Sequence, residues 1–369
     1  MHRPAVDIYS GEMVDLTRTL LEDLPKLFRT GGRTFIYAAN GHGGWEAAVS
    51  NVLSRGETVL VLESGVFAVG WGDMARMMGV KVEVLKGDWR RAVDPAAVVQ
   101  RLAADRGHEI KAVLVVQVDT ASGVVNDIAA IRRAIDAAGH PALLMVDCVA
   151  SLGCMPFEMD AWKVDVAMSG SQKGLMTPPG LAFVAANDRA LAVHPKADLR
   201  TRYWDWTFRM GEVHYQKYGG TPPQHLLFAL RKALDLLLAE GLERAARRHA
   251  LLAEATRRAV ARWVEGGALA FNITEPAERS NSVTTVLTPG CDPKALLGYC
   301  RTHCGVVVGV GIGELSGKAF RIAHMGHVNA PMMFGVLGAI EMGLAALGIP
   351  HGGGGVQAAV DYLGREVRP

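Results

Sequence analysis

The sequence predicts an α/β fold: a largely parallel sheet between helices, followed by a smaller α+β unit. Three observations carry that expectation. Seven short apolar, β-rich runs occupy the first half of the chain. Helix-like segments separate them, as crossovers between parallel strands require. Beyond about Pro222 the texture changes to long helices with a few short strands between them.

The seven runs are TFIYAA, TVLVLES, VKVEVL, IKAVLVVQV, PALLMVD, VDVAMSG and LAFVAA, read as strands covered on both faces. The helices between them are GGWEAAVSNVL, GWGDMARMM, DPAAVVQRLAADRG and NDIAAIRRAIDAAG. The last opens on the cap candidates Asn126 and Asp127 and stops at Gly139. Two long helical patterns follow, QHLLFALRKALDLLLAEG and LERAARRHALLAEATRRAVARWV. Next come the strand NSVTTVLTP, the helix DPKALLGYCRTHCG, the strands GVVVGVG and KAFRIAHM, and the helix PMMFGVLGAIEMGLAALG. HGGGG, His351 to Gly355, reads as a flexible connector to a last helix. The expected division is a large domain over 1–250 and a small one over 251–369.

Composition narrows the function classes. The chain has 369 residues, 50% hydrophobic and 21% charged, as expected of a globular protein with a large core. A net charge of +2 gives no reason to expect nucleic acid or an anionic membrane as partner. No apolar run is long enough to span a bilayer, and MHRPAVDIYSGEM has no signal-peptide core. The five cysteines, Cys148, Cys154, Cys291, Cys300 and Cys304, are odd in number and scattered, which argues against a disulfide framework. A soluble, cytoplasmic, enzyme-sized protein is expected.

In parallel sheets, ligands collect beyond the carboxyl ends of the strands. Here TFIYAA runs into NGHGGWEAA, a glycine-rich turn whose free N–H groups suit an anion, though a tight strand–helix turn explains it equally well. TVLVLES is followed by Phe67, an aromatic able to stack on a flat ligand or simply to join the core. IKAVLVVQV is followed by Asp119, Thr120 and Ser122, which bring hydroxyls to the rim or hydrogen-bond a turn. PALLMV ends in Asp147, a carboxylate costly to bury without a partner. VDVAMSG leads to Lys173 within SGSQKGLMTPPG, a poor place for a core or a solvated lysine. A phosphate cradle, an aromatic lid, hydroxyls, a buried acid and a lysine together match pyridoxal 5′-phosphate. The lysine would form the Schiff base and the acid would face the pyridinium N–H.

The segment ALLMVDCVASLGCMPFEMDAWKVDVAMSGSQKGLMTPPGLAFV resembles the class V aminotransferases of fold type I, in particular the serine–glyoxylate and alanine–glyoxylate group. The likeness runs from MHRPAVD to PHGGGGVQAAVDYL. It implies a fold type I transferase with a mostly parallel seven-stranded sheet in the large domain. It implies Lys173 as the Schiff-base lysine and Asp147 at the ring nitrogen. Gly41, His42 and Gln172 would lie at the phosphate, Phe67 on the ring and Thr120 at the ring hydroxyl. Tyr218 and Thr221 in YGGT would reach the phosphate of a neighbouring subunit, making a homodimer with shared sites. Arg321 would grip the substrate carboxylate with two parallel hydrogen bonds.

The sequence departs from the family twice. No GPTNVP-like segment precedes MHRPAVD, so either the start lies elsewhere or the site is more open. VDTASG stands where the family tends to carry NET.TG, so Asp119 is one methylene shorter than glutamate, which bears on donor and acceptor preference. The reaction implied is a transamination from a small amino acid, L-serine first, to glyoxylate. Alanine and aspartate remain alternative donors. Lyases and desulfurases of the same fold are rivals, but a desulfurase needs a cysteine on a mobile loop.

Other motifs point elsewhere. Cys300 and Cys304 in CRTHC sit in a helical pattern without a second ligand pair, so no metal is expected. His324 and His327 read as satisfied structural histidines, GVGIGELSG as a bend between two strands, and ERAARRHALLAEATRRA as a solvated helix face. TRYWDWTF, Thr201 to Phe208, fits either a subunit interface or a site wall.

Overall fold

The computed structural model describes residues 3–367. The seven expected runs form one sheet: β1 (Arg33–Tyr37), β2 (Thr58–Leu62), β3 (Lys81–Leu85), β4 (Ile110–Val116), β5 (Leu143–Asp147), β6 (Val166–Gly170) and β7 (Ala182–Ala186). Their order is β1-β7-β6-β5-β4-β2-β3. β2 through β6 pair in parallel, and β7 is antiparallel to both β6 and β1. Two successive reversals return β1 to the common direction, so β1, β2, β4, β5 and β6 all end on the same edge.

Each central strand feeds two cores, because alternate side chains point to opposite faces. Val113, Val115, Leu144 and Val146 face one cluster, with α1 (Glu12–Phe28), α4 (Pro95–Ala104), α5 (Ile128–Ala137) and α6 (Gln224–Glu240) packed over it. Ala112, Leu114, Leu143 and Met145 face the other, beneath α2 (Gly41–Val52) and α3 (Val66–Met77). Burial on both faces is why these strands read as continuous apolar runs rather than alternating ones.

The long helix α7 (Leu242–Trp263) passes between cores. Ala245 belongs to the first cluster, whereas Leu252, Ala255 and Ala259 belong to a third. That third core lies under the small sheet, β8 (Ala270–Phe271), β9 (Val283–Leu287), β10 (Gly309–Val310) and β11 (Ala319–Ala323), with order β8-β9-β11-β10. Helices α8 (Pro293–Cys304), α9 (Ala330–Ala346) and α10 (Gly355–Glu366) complete the unit. GVGIGELSG does turn the chain between two strands, β10 and β11. Cys300 and Cys304 lie on α8 as their pattern predicts.

Three features differ from the sequence reading. The first is α1, which has no side-chain cap and carries Pro25 in its last turns, so the usual boundary signals are missing. The second is α3, which starts at Val66 rather than Gly70 and so puts Phe67 in a helical first turn. The third is the glycine run His351 to Gly355, in which Gly352 and Gly355 are closely packed while Gly353 and Gly354 are exposed. A Cβ at Gly355 would lie 2.2 Å from Trp263 Nε1, and one at Gly352 would lie 2.3 Å from Arg262 O. Glu341 anchors the run by accepting the N–H groups of Gly355 and Val356 at 3.0 and 2.7 Å.

One buried amide ties the small unit to the large one. Asn272 Nδ2 donates to Trp89 O and to Ser122 O, both at 2.8 Å. Asn272→Ala leaves both carbonyls without that donor, and a loss of about 1–3 kcal/mol in unfolding free energy is expected. A denaturant midpoint identical to the parent's would show that the amide is not the tie.

Candidate active site

Five strand ends deliver residues to one cavity. It is lined by Asn40, Gly41, His42 and Trp45 after β1, Phe67 after β2, Val116, Val118 and Thr120 after β4, Asp147, Val149 and Ala150 at β5, and Gln172 and Lys173 after β6. Seven of the residues singled out in the sequence are therefore together: Gly41, His42, Phe67, Thr120, Asp147, Gln172 and Lys173.

The glycine run after β1 serves first to bring α2 close to the sheet. A Cβ on Gly44 would lie 2.4 Å from Met168 Cε, and one on Gly43 would lie 2.6 Å from Ala39 Cβ. The end of the helix is less bare than the sequence suggests. Asn40 Oδ1 already accepts the N–H groups of His42 and Gly43, at 3.1 and 3.4 Å. An anion at this helix end shares a capped first turn rather than an open set of amides.

Asp147 ends β5 and is buried. Oδ1 accepts the Val149 N–H and Oδ2 accepts the Trp45 indole N–H, both at 2.7 Å. Burial nevertheless pushes its carboxyl up to about 6, because desolvation penalises the anion more than these two donors stabilise it. Neighbouring Asp119 raises it further, and Lys173 lowers it. Lys173 itself is held below the usual lysine range, by burial first and by the charge of Arg321 second. An amine so depressed spends more of its time unprotonated and able to attack a carbonyl.

Asp119 proves to have a structural task. Its Oδ2 accepts the N–H groups of Phe67 and Ala68 at 2.9 and 3.1 Å, and its Oδ1 accepts that of Ala121 at 3.0 Å. Gly65, at the N-cap position of α3, has no side chain to offer. Asp119 therefore caps α3 from another strand end and fixes the turn bearing Phe67. Burial pushes this carboxyl up to about 6 as well.

Arg321 projects from β11 of the small unit. Its Nη1 donates to Thr120 O at 2.8 Å and its Nε to Val310 O at 2.7 Å. The arginine thus abuts the cavity wall at Thr120. Tyr218 and Thr221 do not join the cavity within the chain. Tyr218 is buried, its hydroxyl 2.7 Å from Thr17 Oγ1, and Thr221 is exposed. His324 is a satisfied core histidine, 2.9 Å from both Asn281 O and Thr284 Oγ1, and burial takes it down to about 3. His327 is exposed. The TRYWDWTF segment packs on β1 and α2. Phe35 stacks on Trp206 at 5.3 Å, and Asn51 Nδ2 donates to Trp204 O at 2.8 Å.

Sequence reasoning missed Trp45 and Asn40. Asn40 stands immediately before a helix, the ordinary N-cap position. Trp45 lies four residues after Gly41, one helical turn on, and so shares its face.

The donor set fits a flat, anionic, aldehyde-bearing heterocycle. Gln172 Oε1 is buried without a hydrogen-bond partner, an acceptor free to take an N–H or O–H of a ligand. Above about pH 6 Asp147 is an anion in an apolar wall, and a protonated ring nitrogen supplies the counter-charge such a group lacks. Fold and site together define a pyridoxal 5′-phosphate-dependent enzyme of fold type I. The chain belongs to the class V aminotransferases, a family that matches residues 11–324.

Among proteins similar to it, a serine–glyoxylate aminotransferase of Methylorubrum extorquens is 42% identical over 97% of this chain and 90% of its own length. An L-aspartate–glyoxylate aminotransferase of Paracoccus denitrificans is 37% identical over 97% and 90%. The crystal structure of pyridoxamine–pyruvate aminotransferase from Mesorhizobium loti superposes with a TM-score of 0.90 at 30% identity, covering 99% of this chain and 93% of that one. The protein is therefore an aminotransferase that uses pyridoxal phosphate, and its substrates are amino and 2-oxo acids. No helix among the described residues is long and apolar enough to cross a membrane.

The Asp119 cap can be tested at Gly65, where an added Cβ would lie 2.2 Å from Asp119 Cγ. Gly65→Ala is expected to cost about 1–3 kcal/mol of stability by overpacking. It should also weaken cofactor retention by displacing Phe67. Thermal denaturation and cofactor titration check both, and a variant equal to the parent in both would remove the cap from the account.

Proposed function

We propose that the chain transfers the amino group of L-serine to glyoxylate, giving hydroxypyruvate and glycine, at sites shared between two copies. The observation that carries this reading is the 42% identity to a serine–glyoxylate aminotransferase along 97% of the chain, with Lys173 and Asp147 lining one cavity and Arg321 bonded to the Thr120 carbonyl behind its wall. A second reading, aspartate as donor, is favoured by the relative of that specificity at 37% identity.

When bound, the cofactor supplies an aldehyde to carry the amino group and an electron-poor ring to accept charge from the substrate Cα. The chain's residues do the rest. Lys173 Nζ, whose hold on a proton is weakened by burial and by Arg321, takes the proton from the substrate Cα as general base. Asp147 would hold a proton at the ring nitrogen. Phe67 would pack on the ring, Thr120 would lie near its hydroxyl, and Gly41, His42 and Gln172 would hold the phosphate end. Arg321 is already braced by Thr120 O and Val310 O, so its remaining N–H groups can take the substrate carboxylate without a large ordering cost. Thr221 is exposed, where a second copy can meet it. Tyr218 would have to leave Thr17 to serve the neighbouring phosphate.

Three outcomes are expected. Lys173→Ala abolishes turnover, and activity retained by that variant would sink the base assignment. Asp147→Asn lowers kcat by about 10²-fold or more while cofactor retention falls much less; an unchanged kcat would remove Asp147 from the ring nitrogen. In single-turnover conversion of the bound cofactor, a panel of amino acids should react fastest with L-serine. A faster reaction with L-aspartate would select the second reading.

A further inference from the structure

Trp45 is the residue in the cavity wall whose task the proposed reaction does not yet explain. It is a buried tryptophan on α2, inserted among three site residues. Its ring meets His42 edge-on at 4.6 Å and Phe67 at 6.4 Å, and stacks on Trp71 at 6.1 Å. Its indole N–H donates to Asp147 Oδ2 at 2.7 Å, while Oδ1 is taken by the Val149 N–H. These two bonds are the hydrogen bonds that Asp147 makes through its side chain among the described residues.

We propose that Trp45 is a positioning residue for Asp147: its indole N–H locks the carboxylate in one rotamer and keeps it an anion for the ring nitrogen. The inference rests on the reading that Asp147 faces that nitrogen. The physical case has three parts. A buried carboxylate with one hydrogen bond can swing about χ2; with a donor on each oxygen it cannot. A donor to the anion also offsets its desolvation, and a charge-assisted bond of this length is strong. Finally, the indole is itself immobilised by three aromatic neighbours and by the close seating of α2 on β6, which Gly44 permits.

Trp71 provides the internal control. It lies in the same aromatic stack and is equally buried, but its indole nitrogen has no hydrogen-bond partner. Trp45→Phe and Trp71→Phe each remove one indole N–H from the same stack, and only the first touches Asp147. The charged groups facing Asp147 are Asp119, which raises its proton affinity, and Lys173, which lowers it; both stay in place in each variant.

The experiment has two readouts. In the protein freed of cofactor, the carboxyl band of Asp147 is titrated by infrared difference spectroscopy, each variant referenced to its own Asp147→Asn version so that Asp119 cancels. In the holoenzyme, the visible absorbance of bound pyridoxal phosphate is followed against pH, together with kcat and KM. Trp45→Phe is expected to raise the Asp147 titration by on the order of one pH unit. It is also expected to shift the cofactor absorbance profile and to lower kcat more than it changes KM. Trp71→Phe leaves the Asp147 titration where it is. A Trp45→Phe titration equal to the parent's, or an equal shift in Trp71→Phe, overturns the inference. If Asp147→Asn itself leaves the holoenzyme profile unchanged, the reading of Asp147 fails instead, and the two failures are thereby told apart.

Discussion

The structure is organised around one costly placement, a carboxylate buried at the end of the central strand β5. Asp147 would be destabilising in an ordinary core, and burial does push it up to about 6. Its surroundings make it useful. A backbone N–H and an indole N–H meet its two oxygens, and a lysine with a lowered proton affinity lines the same cavity. The cavity therefore pairs a desolvated carboxylate with an amine whose hold on its proton is weakened. A heterocycle with a basic nitrogen and an aldehyde relieves both at once, and this requirement joins the fold to the chemistry of a class V aminotransferase.

The elements around the cavity are coupled through the turn that follows β4. Asp119 caps α3 and so sets Phe67. The next carbonyl, Thr120 O, braces Arg321 from the small unit. Two residues further on, Ser122 O accepts from Asn272 of the small unit, and Gly123 O accepts the Ser280 N–H at 3.0 Å. A five-residue stretch thus fixes Phe67, Arg321 and the seating of the second unit. Asp119 belongs to this scaffold, so its side chain acts through the position of Phe67.

Much of this was legible in the sequence. All seven strands were marked by their apolar runs, because burial on both faces removes the polar alternation that blurs other strands. Asp147 and Lys173 stood out because each is a charged residue at the end of such a run, where a parallel sheet places ligands. What escaped was what depends on contacts between distant segments. Nothing in the sequence singles out Trp45; only the packing of α2 on β6 brings its N–H to Asp147. Asp119 looked like a turn residue, since nothing in VDTASG announces a cap for a helix more than 50 residues earlier. The glycine run from 352 to 355 reads as flexible by composition, yet Gly352 and Gly355 let Arg262 and Trp263 at the end of α7 approach.

The central claim, that Lys173 is the amine that receives the cofactor aldehyde opposite Asp147, is tested most directly by chemical trapping. Purified protein supplied with pyridoxal 5′-phosphate is reduced with borohydride, digested, and its peptides mapped by mass spectrometry. The account predicts a stable pyridoxyl adduct on Lys173, within the peptide spanning Ser169 to Gly180. A colourless protein with no adduct at Lys173, or an adduct confined to other lysines, would contradict it.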